Sequence, residues 1–310
     1  MAVADDLRTV RDFVRYAVSR FSASGIVFGH GTTTALDEAA FMVLEALDLP
    51  VDDLSPWFDA RLTYPERERV ADLIEQRCTT RKPAAYLLGR TYIGGVPFRS
   101  DERAIVPRSF IGELLFGELF GGEGFTLVQY PDTVGRALDL CTGGGSLAIL
   151  ASMIFPNAQI DAVDLSRDAL SLALENVTEH DLADRITLVE GDLFEPLKGR
   201  LYDLIITNPP YVDAQAMADL PPEFLHEPSM AFDGGPDGLD IVRRILKEAP
   251  AHLTARGGII CEIGTGREIL DEEFPHLPFL WLDTEDSEAE VFWLSAKDLG
   301  AGKDLRLIAK

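Results

Sequence analysis

The residues with the clearest chemical meaning lie in DLIITNPPYV, where an apolar run ends in Asn208, Pro209, Pro210 and Tyr211. Asn208 offers a side-chain carbonyl, Pro209 a main-chain carbonyl on a stiff backbone, and Tyr211 an aromatic face. Two carbonyls beside a flat surface suit an –NH2 group on a planar amide or aromatic amine. The lone pair of such a nitrogen is delocalised, so it is a weak nucleophile, and deprotonating it near neutral pH is impractical. A protein can instead accept both N–H hydrogens, hold the nitrogen in line with a methyl donor, and favour a more tetrahedral geometry as charge develops. Read alone, NPP is also a plain strand stop, because proline cannot continue a ladder.

A second set of residues lies upstream in DLCTGGGSLAIL. Asp139 closes a candidate strand, Cys141 to Gly145 form a tight turn, and a helix starts at Ser146. Glycines there allow backbone to approach a ligand closely. The next two strands end at Asp164, whose carboxylate can accept from both hydroxyls of a ribose, and near Asp192, which can accept from an adenine amino group while Leu193 covers the ring. Each aspartate taken singly could equally be a turn or N-cap residue. The loop is not GxGxxG, since Gly143, Gly144 and Gly145 are contiguous. Its form, Asp-x-x-x-Gly-x-Gly, resembles the first motif of S-adenosylmethionine-dependent methyltransferases. An acidic residue at the loop suits a cofactor with positive amino and sulfonium groups and no pyrophosphate.

These residues require a scaffold. From Arg136 onward, the runs ALDL, QIDAV, ITLV, DLIIT, GGIICEI, FLWL and AEVFWLS read as seven strands alternating with helices, which predicts a mostly parallel, Rossmann-like α/β sheet. The last two runs are too close for a crossover helix, so they are expected to pair antiparallel. Trp281 and Trp293, in that pair, read as core residues. Before the sheet, Leu7 to Phe21 and Leu36 to Leu47 show helical spacing, and Thr63 with Glu66 has the spacing of a capping box ahead of a third helix. The expected organisation is a small helical domain over 1–82, a hairpin linker over 83–108 and a catalytic domain over 109–310. Gly117 to Gly135 reads as a loop, with FGELF as a possible helix end.

The 310 residues carry 28 Lys and Arg against 52 Asp and Glu, a formal charge of −24. Residues 1–108 hold 14 basic and 16 acidic residues, and 109–310 hold 14 basic and 36 acidic. The acidity therefore belongs to the second part, where it repels phosphate backbones and acidic membranes and favours a basic partner; a solvated acidic surface is the alternative reading. Direct nucleic-acid binding is not expected. Cys78, Cys141 and Cys261 form no CxxC pair and the five histidines show no ligand spacing, so no metal site is expected. Without a targeting segment or an apolar run of membrane-spanning length, the expected compartment is the cytoplasm.

Taken together, PAAYLLGRTYIGGVPF, DERAIVPRS, DLCTGGGSLAI, TNPPYVD and HEPSMAFDGGPDGLD resemble the protein-(glutamine-N5) methyltransferases, which modify release factors or a ribosomal protein. The likeness runs in matching order from about Pro83 to Ser295. NPPY itself is shared with enzymes acting on adenine or guanine amines. Pro107, Arg108, Ser109, Phe110, Ile111, Gly112 and Glu113 look like the PRSPIGEL of the branch acting on the third protein of the large ribosomal subunit. The release-factor branch reads PRPETE instead. The resemblance implies S-adenosylmethionine as methyl donor, bound by Asp139, the loop Cys141, Thr142, Gly143, Gly144 and Gly145, Asp164, Asp192, Leu193 and Asn208. It implies a glutamine amide held by Asn208, Pro209, Pro210 and Tyr211, in a basic ribosomal protein that the helical domain helps to recognise. The same reaction on a release factor is the nearest alternative, and a nucleic-acid amine the more distant one. Two departures stand out: the family's TGSGC reads TGGGS here, and the proline of PRSP is Phe110. His226, Glu227 and Pro228 fall in the family's EP element, and either shape the pocket after NPPY or form a surface turn.

Overall fold

The computed structural model describes residues 3–284 and 287–300, and the last ten residues of the predicted catalytic domain lie outside the described residues. The chain forms two compact units, one of residues 1–102 with 220–227, the other of residues 103–219 and 228–310.

The first unit contains α1 (Val3–Asp6), α2 (Val10–Ser24), α3 (Ala35–Ala46), α4 (Tyr64–Thr80) and α5 (Ala84–Leu88). Phe13, Val14, Ala17 and Phe21 of α2 recur every three to four residues, and they bury against Ala39, Met42 and Val43 of α3 and Val70 and Ile74 of α4. Helix starts follow the side-chain chemistry. Thr9 and Thr34 accept from the amides of Asp12 and Asp37, and the Glu66 carboxylate accepts the Thr63 amide at 2.7 Å as the capping-box spacing predicts.

The predicted linker differs from the structure. Residues 84–88 are helical because Pro83 precedes the first turn and Gly89, at φ +72°, ends it in the left-handed region. A two-stranded hairpin of β1 (Arg90–Ile93) and β2 (Val96–Arg99) follows. Both α5 and the hairpin belong to the helical unit, so the unit boundary falls at residue 102 and not at 82.

The second unit is built on a seven-stranded sheet in the order β5-β4-β3-β6-β7-β9-β8. Its elements in chain order are α6 (Phe110–Phe116), β3 (Arg136–Leu140), α7 (Ser146–Ile154), β4 (Gln159–Asp164), α8 (Arg167–Glu179), β5 (Ile186–Glu190), β6 (Tyr202–Thr207), α9 (Ala214–Ala218), α10 (Asp240–Glu248), β7 (Leu253–Glu262), α11 (Arg267–Glu273), β8 (Leu280–Leu282) and β9 (Val291–Ser295). The FGELF segment divides, with Phe116 closing α6 and the remainder outside the helix. Strands β3 to β7 are parallel, and β9 runs antiparallel to both neighbours. Trp281 and Trp293 are half-buried rather than deep core, and Trp293 occupies the space that a side chain at Gly258 would take.

Chain order reverses across the sheet beside β3, which has β4 on one side and β6 on the other. Leu140 pairs with both Val163 and Thr207, and Thr207 with Cys261. The carboxyl ends of β3, β4, β6 and β7 are thereby brought level, forming the crevice in which open α/β sheets bind ligands.

Candidate functional site

The glycine loop leaves β3 at Cys141, a non-glycine residue in the left-handed region at φ +58°. The strain is held by bonds on several sides. The Thr142 amide donates to the Val163 carbonyl at 3.0 Å, and the Gly145 amide closes a turn onto the Thr142 carbonyl at 2.9 Å. Asp164, at the end of β4, accepts the Gly143 amide through one oxygen and the Ser166 amide through the other, both at 2.8 Å. From α8, the Asn176 side-chain amide donates to the Gly144 carbonyl at 2.8 Å. Gly145 (φ +84°) lies against Ala173, where an added Cβ would crowd at 3.2 Å, whereas at Gly143 (φ +55°) the nearest atom is Ile105 Cγ2 at 3.9 Å. The rear of the loop is packed on α8, and the turn at Gly143 meets Ile105 at ordinary van der Waals distance.

Asp139 lies beneath this loop and is 1% exposed. One oxygen accepts the Thr142 hydroxyl at 2.6 Å and the Ala148 amide at 2.9 Å, while Oδ1 is buried with no hydrogen-bond partner. Burial pushes its carboxyl up to about 7, against those two hydrogen bonds. Burial raises Asp164 as well, in spite of its backbone amides. A carboxylate at the end of β4, held on backbone amides beside a glycine loop, fits a ligand that brings hydroxyls and positive charge. The donor set therefore fits S-adenosylmethionine, and nothing in it favours a pyrophosphate.

Asp192 and Leu193 follow β5 after Gly191. Asp192 is ion-paired with Arg244 of α10 at 2.8 Å, so one of its oxygens already has a cationic partner. Leu193 is 5% exposed, at φ +49°, and packs within the core of the sheet's unit.

The NPPY segment follows β6. Asn208 Nδ2 donates to the Arg108 main-chain carbonyl at 3.2 Å. A carbonyl can only accept, so this contact sets which end of the Asn208 amide points where and leaves Oδ1 as the end able to accept from a ligand. Pro209 is buried, while Pro210 and Tyr211 are half-buried. The Tyr211 ring lies over Gly264 (φ +57°), where a Cβ would come within 2.8 Å of it.

Glu262, the last residue of β7, gathers this region. It is 1% exposed; Oε1 accepts the Tyr211 hydroxyl at 3.0 Å, and Oε2 accepts the Ser109 hydroxyl at 2.6 Å and the Phe110 amide at 3.0 Å. Burial raises the carboxyl of Glu262 and, together with the neighbouring Glu262 charge, the phenol of Tyr211, so the phenol stays protonated and donates. Phe110, where the resembling branch has proline, supplies an N–H that proline lacks, and the buried carboxylate uses it.

The sequence reading missed Glu262, Asn176 and Arg244. Glu262 carried a signal, a charged residue closing the apolar run GGIICE. Asn176 and Arg244 carried none, since polar residues in amphipathic helices are ordinarily solvent-facing. Residues 220–227, with His226 and Glu227, belong to the helical unit, while Pro228 belongs to the sheet's unit.

Comparison with known proteins narrows the chemistry. Residues 125–236 match the family model "Methyltransferase small domain". The ribosomal protein uL3 glutamine methyltransferase of Bradyrhizobium diazoefficiens is 60% identical over 295 residues, covering 95% of this chain and 92% of its own. The protein of that description from Bordetella pertussis is 50% identical, with 95% and 97% covered, and the one from Neisseria meningitidis 48% identical, with 96% of each covered. With identity of this order over 95% or more of its length, the chain belongs to the family of ribosomal protein uL3 glutamine methyltransferases.

Proposed function

We propose that the protein transfers a methyl group from S-adenosylmethionine to the side-chain amide nitrogen of a glutamine in ribosomal protein uL3. The observation that carries the chemical half of this reading is the orientation of Asn208, whose Nδ2 is committed to the Arg108 carbonyl. The substrate is the one named for the relatives, and the acidic sheet-bearing unit suits a basic ribosomal protein.

The bound cofactor supplies an electrophilic methyl group on a sulfonium centre. Asn208 Oδ1 and the Pro209 carbonyl accept the two N–H hydrogens of the glutamine amide and fix its rotation. Tyr211, held by Glu262 and Gly264, offers its ring to the amide plane. As the nitrogen forms its bond to the methyl carbon and the carbon–sulfur bond breaks, positive charge on nitrogen is stabilised by those carbonyls. One N–H proton then leaves to water, and S-adenosylhomocysteine is the second product. Asp139, Asp164, Asp192, Leu193 and the Cys141–Gly145 loop would hold the cofactor.

No helix among the described residues is long and apolar enough to cross a membrane. We place the enzyme in the cytoplasm, acting on protein rather than nucleic acid.

Asn208→Ala tests the assignment. Turnover is expected to fall about 10²- to 10³-fold, the cost of removing one preorganised polar partner from a transition state, with cofactor affinity nearly intact. A variant that lost cofactor binding and kept its turnover at saturating cofactor would overturn the role given to NPPY.

A further inference from the structure

The stretch FDGGPDGLD, residues 232–240, and the NPPY segment both belong to the sheet's unit and are in direct contact. Val212 is paired through both of its polar main-chain groups: its amide donates to the Phe232 carbonyl at 2.8 Å, and its carbonyl accepts the Gly234 amide at 2.9 Å. Gly238, at φ +80°, packs on the preceding peptide so closely that an added Cβ would collide with the Tyr211 carbonyl oxygen and come within 3.1 Å of its carbon. The main chain at the end of NPPY therefore rests on this loop.

Residues 234–239 form no helix or strand, so side chains and loop ends must hold them. The Asp240 amide donates to the Gly234 carbonyl at 2.9 Å, and Leu239, 1% exposed, fills the space that a Cβ at Gly266 would take. Between these ends, both oxygens of Asp237 accept from the Arg243 guanidinium of α10, at 2.8 and 2.5 Å, and Oδ1 also accepts the Leu239 amide at 3.2 Å. Arg243 is held in turn by Glu273 of α11, which accepts from Nε and Nη2 at 2.8 Å each. The Arg243 hydrogen bonds bring the Asp237 carboxyl down to about 2, so the pair stays ionised near neutral pH.

A partly exposed ion pair ordinarily adds little to stability, because water screens it and both side chains give up freedom. A bidentate pair backed by a second carboxylate is directional, and what it supplies is a fixed position. Asn208, at the start of NPPY, is tied to the Arg108 carbonyl, and Tyr211 and Val212, at its end, rest on the loop that Arg243 holds. A shift of the loop would move the Tyr211 ring and, through the stiff Pro210, the Pro209 carbonyl.

We propose that Asp237 and Arg243 are positioning residues for methyl transfer, their ion pair holding the Gly234–Gly238 loop against Tyr211 and Val212 and so setting the amide-binding end of NPPY. This rests on the glutamine methyl transfer proposed above. The pair acts through the loop backbone and touches neither substrate nor cofactor.

The test uses the full chain with purified uL3 and three variants: Asp237→Asn, which keeps an oxygen for the Leu239 amide, Arg243→Gln, and the two together. In each single variant kcat is expected to fall about 10- to 100-fold, the usual consequence of a displacement near an ångström at a reacting group. KM for uL3 and S-adenosylhomocysteine affinity by calorimetry are expected within about twofold of the parent. Because the two side chains act as one device, the double variant should lose no more than the worse single one. Unchanged kcat in Asp237→Asn, folded by circular dichroism, would overturn the proposal. So would losses that multiply in the double variant, a rise in KM alone, which would make the loop a docking surface, or a loss of S-adenosylhomocysteine affinity, which would make it part of the cofactor site. Failure of the parent enzyme to methylate uL3 would instead overturn the underlying reaction, and that is read from the parent by itself.

Discussion

Asp139 should make the stability of the cofactor-free protein fall as pH rises through neutrality. Burial holds its carboxyl near 7 instead of 3.8, so the folded protein favours the protonated form. The contribution is therefore complete below the ordinary carboxyl value of about 4 and is lost as pH climbs through about 7. A rise from 3.8 to about 7 corresponds to about 4 kcal/mol in all, and about 2 kcal/mol of it falls between pH 5.5 and 7.5, clear of the isoelectric point near 4.5. Asp139→Asn keeps an oxygen for Thr142 and Ala148 and carries no titrating proton. Denaturant unfolding of both proteins across that range isolates the contribution as the difference between the two profiles, because all other groups are shared. The parent should lose about 2 kcal/mol relative to the variant. Parallel unfolding profiles would refute the account of Asp139.

Three other outcomes follow from particular contacts. Tyr211→Phe keeps the ring over Gly264 and loses only the hydroxyl to Glu262, so turnover should stay within about tenfold of the parent, while Tyr211→Ala should cost far more; equal losses would show that the hydroxyl matters and the ring face does not. Phe110→Pro removes the N–H given to Glu262 but suits the first turn of α6, and urea unfolding should report a loss of about 1 kcal/mol with turnover kept. Association with a basic protein substrate should slow as salt rises past about 0.15 M, read by stopped-flow; a rate indifferent to salt would remove electrostatic steering from the account.

Much of the sheet was legible because strand identity here is a matter of short apolar runs between breakers. All seven runs became strands, and the glycine loop, Asp164 and Asn208 fall at carboxyl ends as their order requires. The unit boundary was not legible. Nothing in AYLLGRTYIGGVPF says which neighbour it packs against, and packing assigned α5 and the hairpin to the helices. Residues 220–227 were harder still, because a polar segment such as PPEFLHE reads as exposed loop until its partners, Arg81 and His30, are brought beside it from remote sequence positions. Asp192 illustrates the same limit at the site itself. Its place after β5 follows from the strand pattern, but its pairing with Arg244 depends on how α10 lies against the sheet.

The central claim is methyl transfer to a glutamine of uL3. Labelled S-adenosylmethionine, offered to the enzyme with purified uL3 and, separately, with a peptide chain release factor, tests it directly when the labelled peptide is sequenced by mass spectrometry. Label on a single uL3 glutamine, lost in Asn208→Ala, is the predicted result. Label on the release factor alone would keep the mechanism and contradict the substrate, and label on neither protein would contradict the reaction itself.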